Sequence, residues 1–257
     1  MLLAWLLLPG CAELHRKAVQ FDQTCSEDTL DKLSARQDDF GPLTGTRTLE
    51  CALSALRGSQ DAALRRTALG SRLSLLLAER NPDPGQREKL AAEGVRFAEA
   101  ALALGADGDG PVHYYLATNL GLAVRNHMTL AVENLPRLES ELQRAVALSP
   151  DIDGGGPLRV LGALYLKAPP WPAGIGDADK AFELLKRAVD SHPEHPLNHL
   201  FYAQTLWETE EDAAIEQAKS EMANGKKLLK QGRWKFNRAS WNKEFAEFQQ
   251  EIGVSRR

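Results

Sequence analysis

The chain lacks a strong excess of either charge. Its 31 Lys and Arg stand against 35 Asp and Glu, a net −4 over 257 residues. That balance gives no general attraction to nucleic acid, and no nucleic-acid partner is expected. No apolar run reaches the roughly 18–20 residues needed to span a bilayer as a helix. Cysteine is scarce, and Cys11, Cys25 and Cys51 lack the paired close spacing of a zinc site. β-Branched residues are few beside Ala and Leu, and no strand-like alternation persists, so the composition leans to helix. A Gly-x-Ser-x-Gly elbow, a His-Glu-x-x-His pair and a pair of catalytic carboxylates are also missing. The reading is therefore a non-enzymatic protein with no cofactor and no metal. At 43% hydrophobic residues, it has enough apolar material for a sizeable core.

What the chain does have is a repeat. Residues 154–196 echo residues 111–153 at an offset of 43: Leu142-x-Arg144-Ala145-Val146 with Pro150 recurs as Leu185-x-Arg187-Ala188-Val189 with Pro193. A finer pattern runs through the second copy, Leu158-x-x-Leu161-Gly162-x-x-Tyr165 followed by Ala181-x-x-x-Leu185-x-x-Ala188. This is the tetratricopeptide spacing. Gly162, Ala181 and Ala188 let two helix backbones approach, while Leu161, Tyr165 and Leu185 fill the seam. Leu69-Gly70-x-x-Leu73 is a weaker echo, and Phe97 and Ala100 stand where Leu142 and Ala145 do in the next unit.

The predicted helices cover about 15–33, a stretch from 46 with Leu49, Leu53 and Leu56 on one face, 62–80, 86–104, 111–126, 134–148, 157–168, 177–191, 197–208, 211–230 and a capping helix over 237–251. Both clear repeats carry a lengthened connection: Leu122 to Leu138 and Tyr165 to Ala181 are each 16 positions apart. The expected fold is all-α, a tetratricopeptide-like helical-repeat solenoid. Its organisation reads as a segment 1–11, an N-terminal helix and linker over 12–45, and one helical-repeat domain over 46–257.

In such stacks the first helices of successive repeats line a concave face. Projection puts His113, Leu116, Leu120, Ala123, Arg159, Ala163, Leu166, Leu200, Gln204 and Trp207 there. That lining is mostly apolar with Arg159 as its charge, and it suits a hydrophobic small molecule or an apolar helix. The loop Lys167–Asp177 is stiffened by Pro169, Pro170 and Pro172. Its Trp171 either offers a contact surface or folds back to plug a gap between helices. Asp107–Pro111 and Asp151–Pro157 resemble calcium-loop fragments but lack the later ligands, and they read as turns. His192, His195 and His199 read as a surface inter-repeat loop rather than a metal site. Between Lys226 and Lys243 lie seven basic residues and no acidic one, interleaved with Trp234, Phe236 and Trp241. Aromatic packing of a solvated cap is the default there, with membrane-surface contact as the alternative.

Met1–Pro9 is almost wholly apolar and ends in Leu8-Pro9-Gly10-Cys11, which resembles the end of a bacterial lipoprotein signal with Cys11 as the lipidated residue. The alternative is an apolar N-terminus on a cytosolic protein. Cys25 and Cys51 are then left either to pair as a disulfide in an oxidising compartment or to sit as two separate buried thiols.

Cys11, Gly154-Gly155-Gly156-Pro157, Arg159-Val160-Leu161-Gly162-Ala163-Leu164-Tyr165, the Ala168-Pro169…Ile175-Gly176-Asp177 loop and Asn198-His199 together resemble the T-component lipoproteins of tripartite ATP-independent periplasmic (TRAP) transporters. The resemblance covers about residues 45–255 and is most specific over 153–206. It implies a solenoid tethered to the outer membrane and facing the periplasm. It also implies association with a periplasmic solute-binding protein, homo-oligomers, and a groove for a small hydrophobic ligand. The alternative is a tetratricopeptide scaffold lipoprotein for envelope complexes with no ligand of its own.

Overall fold

The computed structural model describes Leu33, residues 40–209 and residues 211–254. The expected signal segment, Cys11, Cys25 and almost all of the helix expected over 15–33 lie outside the described residues. Twelve α-helices are described from Thr46 onward: α1 (Thr46–Arg57), α2 (Ala62–Arg65), α3 (Leu69–Arg80), α4 (Pro84–Ala103), α5 (Gly110–Val124), α6 (Met128–Glu133), α7 (Leu135–Leu148), α8 (Ile152–Lys167), α9 (Ala178–Ser191), α10 (Pro196–Glu208), α11 (Asp212–Leu229) and α12 (Arg238–Val254). No strand forms among the described residues; a single isolated bridge joins Pro170 and Gly176. No helix among them is long and apolar enough to cross a membrane.

The helices stack as a repeat of hairpins in two layers. Each first helix (α3, α5, α8, α10) packs on its own second helix (α4, α7, α9, α11), and each also touches the first helix of the next unit. Glycine and alanine set the approach, as the spacing predicts. A Cβ at Gly162 would lie 2.6 Å from Leu185 Cγ, and Gly70 lies equally hard against the ring of Phe97. Ala181, Leu185 and Ala188 are fully buried. The apolar residues fall into three contiguous clusters. One is N-terminal around α1 and α3, one is central around α5, α7 and α8, and one is C-terminal around α10, α11 and α12.

The ends of the helices are held by side-chain caps and prolines. Asp61, Asp83 and Asp177 each accept a backbone N–H in the first turn that follows. Pro84, Pro111 and Pro196 sit in first turns, where no N–H is needed. Two expectations are corrected. The single helix predicted over 62–80 is two, because the Thr67 hydroxyl donates to Leu64 O and accepts from Leu69 N, ending one helix and starting another. The lengthened loop of the first repeat is partly helical: it holds α6, none of whose side chains is buried.

Candidate functional site

The positions expected to line an open apolar groove are largely packed away. Leu116, Leu120 and Leu200 lie in the buried clusters, while Ala163, Leu166, Gln204 and Trp207 are half-buried, as is Ala123. Leu166 packs against both the central and the C-terminal clusters, and Trp207 against the C-terminal one. The segment from Gln231 to Trp241 is tied to the end of α11 by Arg238, whose guanidinium donates to the carbonyls of Leu229, Lys230 and Gln231. Trp234 meets His195 edge-on and Trp241 meets it at a tilt, with ring centroids 4.7 and 5.5 Å away. The basic-aromatic stretch is thus chiefly a packing element, with both tryptophans buried.

His113 is a structural residue. It is 1% exposed; its Nδ1 lies 2.5 Å from Glu141 Oε2 and its Nε2 donates to Asp107 O at 2.9 Å. The arrangement recurs two repeats on. His199 Nδ1 lies 2.5 Å from Glu221 Oε2, and its Nε2 donates to Pro193 O at 2.7 Å. In each case the ring bolts the start of a first helix to its second helix and to the loop six residues upstream. The offset of 86, twice 43, was in the sequence but unread, because the intervening unit has Gly156 at that register. Gly156 is obligatory there, since any Cβ would collide with the Tyr114 hydroxyl. We expect His199→Leu to cost about 2 kcal/mol by urea denaturation, because Glu221 and the Pro193 carbonyl lose their shared partner. An unchanged midpoint would refute the clamp.

The histidine cluster read as a surface loop is also corrected. His195 and His199 are buried, while His192 is half-buried and hydrogen-bonded to Asp151. Burial first, then the nearby Arg159 and Arg233 charges, hold His195 well below its ordinary pKa. Among the described residues, no group of three or more His, Cys, Asp or Glu is placed to hold a metal ion.

The inner layer holds a polar cluster drawn from five elements: α3, α5, α8, α10 and the segment before α12. Asp153, Gly154 and Gly155 run through three successive left-handed conformations, with φ of 48°, 60° and 79°. This turns their carbonyls inward, a conformation that glycine adopts freely and Asp153 does not. Arg159, 5% exposed, holds the turn. It donates to the carbonyls of Asp153 and Gly154 and, at 2.8 Å, to Asn198 Oδ1. Asn198 is fully buried, and its Nδ2 lies within 3.1 Å of the carbonyls of Gly154, Ala188 and His192. Arg159 is therefore spent on the fold and is not a free charge for a ligand. Tyr115 donates to Asp153 Oδ1, and on α3 Glu79 Oε2 accepts from Asn237 Nδ2 at 3.0 Å. Burial and the neighbouring Asp153 push the Glu79 carboxyl up to about 7, against the pull of Arg159, Arg80 and the Asn237 bond.

At the opposite extreme is Trp171, 85% exposed. It does not plug a gap between helices. Its loop is pinned at the base: Gly176 N donates to Pro169 O and Asp177 N to Tyr165 O. Gly176 has no room for a side chain against the Ala168 carbonyl. The lengthened loop of the preceding repeat, which follows the neighbouring first helix α5, exposes Met128 (80%), Leu130 (47%) and Val132 (41%). Successive first helices in a hairpin stack run the same way, so both loops emerge at the same edge of the layer.

Cys51, on α1, is in a disulfide whose partner lies outside the described residues. Two concavities open elsewhere: about 290 Å³ between α11 and α12, with Lys226, Lys230 and Arg238 at its wall, and about 230 Å³ between α1, α3 and α4. Neither includes a residue predicted to bind. No protein-family model matches the chain, and no curated protein is detectably related to it.

Proposed function

We propose that this protein is a tetratricopeptide-like scaffold lipoprotein, tethered through Cys11 to the outer membrane and facing the periplasm. It serves as an accessory component of a TRAP-type transport system and docks a periplasmic solute-binding protein. The observation that carries the docking reading is the exposure of Trp171 on a loop pinned at its base, with Met128, Leu130 and Val132 exposed in the corresponding loop of the preceding repeat. Large apolar side chains held out on stiff supports lose little entropy on binding, and tryptophan dominates many interfaces. The TRAP assignment itself rests on the resemblance of residues 153–206.

One structural observation favours the scaffold reading without its own hydrophobic ligand. The leucines expected to line that ligand's face, Leu116, Leu120 and Leu200, are packed into the apolar clusters. Docking and ligand carriage therefore separate, and the first is the stronger proposal.

Trp171→Ala tests it. The substitution is expected to weaken association with the solute-binding protein by at least about tenfold, roughly 1.4 kcal/mol. Stability should move by less than about 0.5 kcal/mol, since the side chain is exposed. Calorimetric titration with the solute-binding protein supplies the first number and thermal melting the second. A solute-binding protein that never associates, or one that binds Trp171→Ala as it binds the wild type, sinks the proposal.

A further inference from the structure

The N-terminal and C-terminal halves of the stack meet across the inner face through a thin, mostly polar seam. Asn237 of the closing segment meets Glu79 of α3, 158 residues earlier. Beside it Arg80 lies over the Phe236 ring, 4.7 Å to its centroid, and Arg125, just past α5, reaches Glu244 of α12 at 3.8 Å. On its other side the closing segment is held far more firmly, by the Arg238 bonds and by Trp234, Trp241, Phe245 and Phe248 packed in the C-terminal cluster. If the closure opens, it parts from α3.

The polar groups at the seam are only half paired when Glu79 is charged: the Asn237 amide donates to the carboxylate, a bond that by itself favours ionisation, and its oxygen goes unmet. Asn237 is 2% exposed, its Nδ2 is taken by Glu79, and its Oδ1 has no hydrogen-bond partner. A carboxylate can only accept. A neutral carboxyl accepts from Nδ2 through one oxygen and offers its O–H to Oδ1 through the other, so it can serve both halves of the amide. Leaving such an acceptor buried and unmet is costly. The other charged or titratable groups facing Glu79 are Arg80 on its own helix, Asp153 and Arg159 from α8, and Tyr114 from α5. Asp153 opposes ionisation of Glu79 and the two arginines favour it. Arg159 is engaged by the left-handed turn and Asn198, and Arg80 by the carbonyls of Gly41, Pro42 and Thr44.

We propose that the seam between α3 and the closing segment is a proton-controlled latch: it is shut while Glu79 is protonated against Asn237, and it loosens when Glu79 ionises, uncovering the inner face. Burial of Glu79 places its transition near neutral pH, within the range a periplasm or a cytosol samples. The latch does not depend on the docking proposal, since it concerns the inner face and not the Trp171 edge.

Hydrogen–deuterium exchange on the full chain tests it, with rates corrected for intrinsic base catalysis. Between pH 6 and pH 8.5, protection at residues 77–81 and 234–241 should fall roughly tenfold, while α7 and α9 hold theirs. Glu79→Gln should stay protected at both pH values. Asn237→Leu, which leaves the titrating group in place, should show low protection across the seam at both. Wild-type protection that does not change with pH overturns the latch. So does a Glu79→Gln protein that loses protection as the wild type does, or an Asn237→Leu protein as protected as the wild type at pH 6.

Discussion

Asn198→Leu is expected to destabilise the fold by about 3–5 kcal/mol, the largest loss among the polar substitutions considered. Three backbone carbonyls lose their donor, and the Arg159 guanidinium loses its only side-chain acceptor while remaining buried. Arg159→Met removes the charge and its bonds to the left-handed turn, and should cost about 2–4 kcal/mol. Because the two side chains act through one network, the double variant should be less destabilised than the sum of the singles, by about 1–2 kcal/mol. Urea unfolding of all four proteins gives this coupling directly. Additive losses would mean that Arg159 and Asn198 act independently, contrary to their 2.8 Å contact.

The second large effect concerns pH. Glu79 ordinarily ionises near 4.5 and in the fold near 7, so its folded form binds the proton more tightly. Its contribution to stability is complete below about pH 4.5 and is lost as pH rises through 7. The rise from 4.5 to about 7 corresponds to an upper figure of about 3 kcal/mol, and remaining solvent contact at the half-buried residue brings this to roughly 2 kcal/mol. His195 works in the opposite sense. Its pKa is depressed, so its contribution is present above about 6.5 and is lost as pH falls. The two slopes oppose each other between about pH 5 and 6.5, and the wild-type profile there should be shallow. Glu79→Gln should match the wild type at pH 5 and exceed it by about 2 kcal/mol at pH 8, or roughly 4–8 °C in Tm. A variant less stable than the wild type at pH 8 would show that Glu79 holds the fold as a charged group.

Much of the architecture was legible in the residues. The 43-residue offset and the Gly162 and Ala181 contacts are local signals, and each marks a helix or a seam that forms as read. The inner face was not legible, for a physical reason. Projection onto a generic repeat tells which helix a residue belongs to, but not what the rest of the chain lays over it. Leu116 and Leu200 carry the spacing of groove lining, and nothing in that spacing announces the apolar clusters that bury them. Arg159 looked like a lone charge because its partners include carbonyls turned inward by Asp153-Gly154-Gly155, and backbone direction at glycine is not written in side-chain pattern. His113 and His199 carried a readable clue in their common offset, masked by Gly156 between them. Trp171 was recognised as significant, and its exposure resolves which of its two roles it takes.

Most helical-repeat proteins can grow or shrink by whole units, because each unit meets only its neighbours. Here the contact between Glu79 and Asn237 joins the first hairpin to the segment after the last. One extra 43-residue unit would carry Asn237 past its partner, and one fewer would leave it short. The histidine clamps on either side of Gly156 add a second constraint, since copying the first unit over the second would place a histidine where the Tyr114 ring packs. The seam thereby couples the number of units between Glu79 and Asn237 to its own geometry.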